Sequence, residues 1–108
     1  MEILMLLASA PHSPSGRQAI TFAQSLAAEG HALTLCCLQD AVAWGAGVAD
    51  DPTRSLLHRL EAVGVRWVAL GADLEMRGLR AARGVSVADY AGLVTLLAAE
   101  HDRVIGAL

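Results

Sequence analysis

The sequence predicts an α/β domain with three layers, α/β/α, around a parallel sheet of about five strands. Short, continuous apolar runs recur along the chain, which is typical of strands that are buried on both faces. Segments with apolar residues at helical spacing separate these runs, and strands that alternate with helices form parallel sheets. Residues 1–108 have the length of one domain and contain no linker or internal repeat, so one domain is expected.

Residues 2–8 form the first apolar run and are predicted to be a strand. A turn-rich stretch, 9–16, follows it. Ser15 and Gln18 have the spacing of a capping box, which predicts the start of a helix. Gly30 lies where this helix should end. Its apolar stripe consists of Ala19, Phe22, Ala23, Leu26 and Ala27.

The second apolar run, 32–38, predicts the second strand. After it the pattern is weaker: residues 41–44 are interpreted as a helical turn and 45–47 as a loop. Trp44 is unusual in this stretch rich in alanine and glycine. It indicates either an exposed interface residue or a small local core under the loop.

Asp51 and Pro52 predict the next helix start, with the aspartate as cap and the proline at the first helical position. Gly64 should end the helix, and residues 65–70 are the third predicted strand. The stripe of this helix consists of Leu56, Leu57, Leu60 and Val63.

The last third of the chain predicts two short strands around one helix. Residues 73–77 are interpreted as a helical turn, 84–87 as a short fourth strand and 103–107 as the fifth. Asp89 is the expected cap of the final helix. The inner face of that helix is predicted to be Tyr90, Leu93, Val94 and Leu97.

Composition excludes several classes of protein. The net charge is −3 and only 4% of residues are aromatic, whereas nucleic-acid binders carry basic patches and stacking platforms. No apolar run approaches the ~20 residues that span a bilayer, and residues 1–10 lack the basic leader of a signal peptide. The adjacent Cys36 and Cys37 do not suit a disulfide, which favours a reducing cytoplasm. The 55% of hydrophobic residues fit a doubly buried sheet or, in addition, subunit interfaces.

Ligands of open parallel sheets bind beyond the carboxyl ends of the strands. This rule selects three loops, residues 9–16, 39–51 and 71–78. The candidate ligand-binding residues in them are Ser9, His12, Ser13, Gln39, Asp40 and Asp73. The first loop precedes a helix start, which attracts anions, but ordinary helix capping is the favoured interpretation because the loop has no glycine-rich phosphate motif. Asp40 and Asp73 each follow a strand, where two carboxylates can do acid–base work or simply hold loops.

His12 is the candidate acid–base residue, because an imidazole titrates near neutral pH. None of the four histidines has a His or Cys partner at metal-ligand spacing, so neither a metal nor a cofactor is predicted. Cys37 lies nearer the end of its strand than Cys36 and is a weak candidate sulfur acceptor. An inert core thiol is the expected state of both cysteines.

Several motifs resemble the DsrE/DsrF/DsrH family, which includes the TusB, TusC and TusD sulfur-relay subunits. They are Gly-Arg-Gln at 16–18, Ala-Ala-Glu-Gly-His at 27–31, Leu-Gln-Asp-Ala-Val at 38–42, Ala-Asp-Leu-Glu-Met-Arg-Gly-Leu at 72–79 and Val-Ala-Asp-Tyr at 87–90. The last two are similar to the DsrH/TusB branch in particular. The first part of the chain looks more like the DsrE branch.

The resemblance implies a five-stranded parallel sheet and assembly into trimers or hexamers of one chain or of related chains. It also implies persulfide transfer, for tRNA thiolation or sulfur oxidation. The relay cysteine of DsrE/TusD members falls at about Leu70 here, and leucine has no nucleophile. An accessory, non-catalytic subunit without direct nucleic-acid or membrane contact is therefore expected. The alternative is a module that binds a small ligand or anion, such as a nucleotide or flavin, at the strand ends; the residues leave open whether it is an enzyme.

Overall fold

The computed structural model describes residues 1–46 and 51–107, and these contain five strands with one or two α-helices between consecutive strands. The strands are β1 (Glu2–Leu7), β2 (Ala32–Cys37), β3 (Arg66–Leu70), β4 (Ser86–Ala88) and β5 (Arg103–Ala107). The helices are α1 (Pro14–Ala28), α2 (Val42–Ala46), α3 (Asp51–Ala62), α4 (Gly71–Met76) and α5 (Tyr90–Ala98). A 3-10 turn, Gln39–Ala41, precedes α2.

All five strands are parallel and form one sheet in the order β4-β3-β2-β1-β5. Leu4 of β1 lies beside Thr34 of β2 on one side and Val104 of β5 on the other. The predicted class, a three-layer α/β/α fold with a parallel sheet of five strands, is confirmed.

The strand order determines which face of the sheet each helix covers. From β1 to β4 the chain advances in one direction across the sheet, so right-handed crossovers bring α1, α3 and α4 to the same face. The connection from β4 to β5 returns past three strands, so its helix, α5, lies on the opposite face. The layers are therefore unequal, with one helix alone on the second face.

The first face carries the larger core. Strand residues such as Met5, Leu35 and Trp67 pack there against Ile20 of α1 and Leu57 of α3. Trp44 is also part of this core: it is 4% exposed, and its ring centroid lies 6.5 Å from that of Trp67. The interpretation of Trp44 as a local core residue is confirmed, and that of an exposed interface residue is wrong.

The second face has a thin cover. Its buried cluster is Leu4, Cys36 and Val68, and α5 contributes only the half-buried Leu93 and Leu96. The prediction that Tyr90, Val94 and Leu97 face inward is wrong, because these side chains are 63%, 64% and 41% exposed. The helix is apolar all round, so the spacing of its apolar residues does not select one face.

The start of α1 differs from the prediction, whereas the start of α5 agrees with it. α1 begins at Pro14 with Ser13 as its cap, so the predicted capping box of Ser15 and Gln18 is wrong. Proline has no N–H to be satisfied and suits the first helical turn. Asp89 caps α5 as predicted, and its Oδ1 accepts from the Gly92 backbone N–H at 2.6 Å.

Other boundaries moved by a few residues. α4 begins at Gly71 rather than at 73, and the fourth strand is Ser86–Ala88 rather than 84–87. Gly45 and Ala46 are helical rather than part of a loop, while Gly47 and the side chain of Asp51 lie outside the described residues. Two predicted stripe residues, Phe22 and Val63, are exposed.

Candidate functional site

Arg77 joins the two acidic residues that follow β2 and β3. Its Nε and Nη2 donate to Asp40 Oδ1 at 3.1 and 3.0 Å. Its Nη1 donates to the Asp73 carbonyl oxygen at 3.1 Å and lies 3.8 Å from Asp73 Oδ1. The positive charge of one guanidinium therefore lies beside the negative charges of both carboxylates. This arrangement favours a structural link between the two loops over a pair of carboxylates that share a proton. The side chain of Asp40 is 66% exposed, so this ion pair stabilises the fold by at most about 1 kcal/mol.

Asp73 also holds the backbone of Gln39. Its Oδ2 accepts from the Gln39 N–H at 2.7 Å, and Gln39 has a φ of 50°, in the left-handed region. That conformation costs a non-glycine residue roughly 1–2 kcal/mol. The hydrogen bond from the backbone N–H offsets part of this cost, and the Gln39 residue is exposed.

The loop after β1 is occupied by helix capping. Ser13 Oγ accepts from the Gly16 N–H at 3.0 Å and donates to the Ala10 carbonyl at 2.7 Å. The chain folds so tightly here that a Cβ on Gly16 would lie 2.0 Å from the Ala10 carbonyl oxygen. Of the two interpretations of this loop, the geometry of Ser13 favours ordinary capping over anion binding.

His12 lies in a different environment from the acidic residues. With Arg17, Trp44 and Leu56 it lines a pocket of about 290 Å³, and Arg17 Nη1 donates to the His12 carbonyl oxygen. Ser9 is half-buried at the start of the same loop. The six predicted ligand-binding residues therefore form two groups rather than one site: Gln39, Asp40 and Asp73 around Arg77, and Ser9, His12 and Ser13 in the first loop.

Both cysteines are buried in the sheet. Cys36 is 1% exposed and Cys37 is 0% exposed, and neither forms a disulfide. Burial raises the pKa of Cys36 from 9.0 to about 11 and raises the pKa of Cys37 further. A reactive cysteine needs an exposed sulfur and a lowered pKa, so this environment disfavours Cys37 as a sulfur acceptor.

A cleft lies at the carboxyl ends of β3 and β4, where residues 71–78 were one of the three candidate loops. Its volume is about 660 Å³, and small residues line much of it: Gly71, Ala72, Ala88 and Gly92. Glu75 and Asp89 add carboxylates, and Tyr90 and Val87 add exposed apolar surface. The part of this lining that comes from residues 87–92 was not predicted, and neither was the role of Arg77. The four-residue spacing of Asp73 and Arg77 within one helical turn was the available signal for Arg77.

Across 1–46 and 51–107, no three side chains of His, Cys, Asp or Glu gather closely enough to hold a metal ion. In the same part of the chain, no helix has the length and apolar character to cross a bilayer. The absence of a metal and of a cofactor stays a prediction.

Comparison with known proteins agrees with the fold and identifies the family. The model of the family described as DsrH like protein matches residues 12–104. The chain belongs to the DsrH-like family. The crystal structure of the ychN protein from E. coli is similar to this DsrH-like protein over 98% of both chains, with a TM-score of 0.80 and 22% sequence identity. That likeness supports the fold alone, and comparison with curated protein sequences gives no match.

Membership makes this DsrH-like protein a member of a sulfur-relay family, and proteins of the family usually act in complexes. The most specific motif of the resemblance, residues 72–79, contains Asp73 and Arg77 and forms most of α4 with the turn after it. Leu70, at about the position of the relay cysteine, is 5% exposed and leads directly into α4.

Proposed function

We propose that this DsrH-like protein is an accessory, non-catalytic subunit of a cytoplasmic sulfur-relay assembly. In this role it contributes binding surfaces, and another subunit carries the persulfide. One observation carries the proposal: the only two thiols are buried in β2, and none is exposed beside the cleft that follows β3.

The state of the thiols supports this role. Transfer of a persulfide begins with attack by a thiolate, and burial keeps both thiols protonated near neutral pH. Cys37 also has no exposed surface through which a donor protein could approach it. Two unpaired cysteines further agree with the reducing conditions of a cytoplasm.

The uncovered apolar surface supports work in an assembly. Nine large hydrophobic side chains are exposed among the described residues, and three of them belong to α5. Exposed apolar surface that is contiguous marks interaction sites in soluble proteins. A trimer or hexamer of this chain, or of this chain with related subunits, is the expected assembly.

Persulfide loading tests the accessory role. The native protein is treated with inorganic polysulfide at pH 7.5, and its intact mass is measured by mass spectrometry. No added sulfur is expected on the native chain, whereas the urea-unfolded chain should react at both cysteines. Ala72→Cys is the matched control, because residue 72 is exposed and lines the cleft, so this variant should gain sulfur while folded. A persulfide on native Cys36 or Cys37 would overturn the proposal.

A second candidate function rests on the pocket beside His12. Arg17 and His12 line it together with the buried Trp44, which is a combination that suits a small anion or a phosphate-bearing nucleotide. The 660 Å³ cleft suits an anion less well, since its charged lining residues are Glu75 and Asp89. Thermal shift with phosphate, nucleotides and flavins tests this function. A shift that Arg17→Gln abolishes would support it, and an unchanged melting temperature with every compound would count against it.

A further inference from the structure

We propose that a pocket at the amino ends of β1, β2 and β3 binds a small zwitterion of the class of a free α-amino acid. The pocket has a volume of about 280 Å³, and both the strand ends and the carboxyl end of α5 line it. Ligands of parallel sheets are expected at the opposite edge, so this site goes beyond the accessory role proposed above. The observation behind it is the buried hydroxyl of Thr34, which lacks an internal partner.

Thr34 forms the floor of this pocket. The residue is only 9% exposed, and it lies on β2 beside Leu4 of β1. Side chains alternate along a strand, so Thr34 shares the second face of the sheet with Cys36. Within residues 1–46 and 51–107, its hydroxyl has no hydrogen-bond partner. Buried hydroxyls normally have one, so this hydroxyl is available to a molecule in the pocket.

Opposite charges flank Thr34 in the sheet. Arg66 of β3 is its register partner on one side, and Glu2 lies at the start of β1 on the other side. Arg66 forms no ion pair with any described residue, so its guanidinium can bind a further anion. A guanidinium binds a carboxylate through two parallel hydrogen bonds. The Arg66 side of the pocket therefore suits the carboxylate of a ligand, with the Thr34 hydroxyl as an additional donor.

The roof of the pocket is the carboxyl end of α5 with the turn that follows it. Leu96 and Ala99 add apolar surface, and Glu100 adds a second carboxylate. His101 Nε2–H donates to the Leu96 carbonyl oxygen at 3.0 Å and so holds the turn against the helix. The carboxyl end of a helix carries a partial negative charge, which favours a positive group. The roof, together with Glu2, therefore suits an ammonium group.

The charges of the pocket select a zwitterion over a simple ion. An anion at Arg66 would also lie near the carboxylates of Glu2 and Glu100, and a cation would lie near Arg66, so each would meet a like charge. A molecule that carries both charges pairs each of its ends with the opposite sign. The volume lies just below the roughly 300–1,000 Å³ of pockets for drug-sized ligands. It disfavours a nucleotide and suits an amino acid with a short apolar side chain.

Isothermal titration calorimetry at pH 7 tests the class of ligand. The probes are L-alanine, L-valine and L-methionine, each compared with its methyl ester, which lacks the carboxylate, and its N-acetyl derivative, which lacks the ammonium group. At least one amino acid should bind saturably at millimolar concentrations, and both of its derivatives should bind at least about tenfold more weakly. A derivative that binds as tightly as its parent would overturn the zwitterion. No saturable binding of any of the three amino acids would overturn the site.

Substitutions test the residues of the pocket with the amino acid that binds. Arg66→Gln should weaken binding at least about tenfold, whereas Arg59→Gln, the matched control on the exposed side of α3, should leave it unchanged. Thr34→Val keeps the shape of the side chain and removes its hydroxyl, so binding should weaken about three- to tenfold without a lower melting temperature of the free protein. Unchanged binding in Arg66→Gln or Thr34→Val, or an equal loss in Arg59→Gln, would overturn the assignment. Each of these failures leaves the accessory role intact, because persulfide loading tests that role separately.

Discussion

At the scale of single residues, Gly16 shows how backbone packing fixes the first of the candidate ligand-binding loops. The Ala10 carbonyl lies directly against its Cα, and the Ser13 hydroxyl bridges the Ala10 carbonyl and the Gly16 N–H. The loop and the first turn of α1 therefore form one rigid unit. A side chain at position 16 would have to displace main-chain atoms rather than a flexible side chain.

We predict that Gly16→Ala lowers the free energy of unfolding by about 1–3 kcal/mol, the usual cost of overpacking. Alanine is the better helix former, so propensity alone would favour the opposite sign. Urea unfolding measures the change, with the exposed Ser15→Ala as control, for which a change within about 0.5 kcal/mol is expected. A Gly16→Ala variant as stable as the wild type would contradict the close contact with Ala10.

The buried thiols predict how stability depends on pH. Burial raises the pKa of Cys36 from 9.0 to about 11, so between these values the unfolded chain releases a proton that the folded chain keeps. The contribution of the thiols to the free energy of unfolding should therefore be constant below pH 9 and fall above it, by at most about 1.4 kcal/mol per pH unit for each thiol. Urea titrations at pH 8, 9, 10 and 10.5 measure the slope. Cys36→Ala should reduce this slope, and equal slopes in both proteins would disprove the role of Cys36.

At the scale of elements, the helices differ in how much of their surface is buried against the sheet. α1 and α3 bury leucine and isoleucine against the strands, for example Ile20 and Leu57, while α5 touches the sheet through two half-buried leucines. The difference follows from the strand order, since the returning crossover brings α5 to the second face without a neighbouring helix.

The orientation of α5 gives a prediction from a matched pair of substitutions. Leu96→Ala should lower the free energy of unfolding by about 1–3 kcal/mol, because a half-buried leucine contributes less than a fully buried one. Val94→Ala should change it by less than about 0.5 kcal/mol at concentrations where the protein is monomeric. Denaturant unfolding at low micromolar protein measures both. The reverse order would indicate that α5 is rotated, with Val94 facing the sheet.

At the scale of the whole molecule, the sequence predicted the fold class but not the order of the strands in the sheet. The apolar runs around Leu4, Leu35 and Val68 predict buried strands, because their continuity reflects burial on both faces. Strand order, by contrast, depends on the direction in which each crossover turns. Of the candidate site, the approach of Asp40 and Asp73 followed from the carboxyl-edge rule. The bridge made by Arg77 did not, because its contact with Asp40 joins positions that lie 37 residues apart.

The sheet as a whole predicts a gradient of local stability. β1 and β2 have a paired strand on each side, whereas β4 is a three-residue edge strand with exposed or half-buried residues. Backbone amides of β1 and β2 should therefore exchange hydrogen only through global unfolding, and those of β4 should exchange through local opening at much lower free energy. Hydrogen exchange measured by mass spectrometry distinguishes these classes. Exchange in β4 as slow as in β1 would contradict an exposed edge, and it would point to a further strand paired with β4 in the assembly.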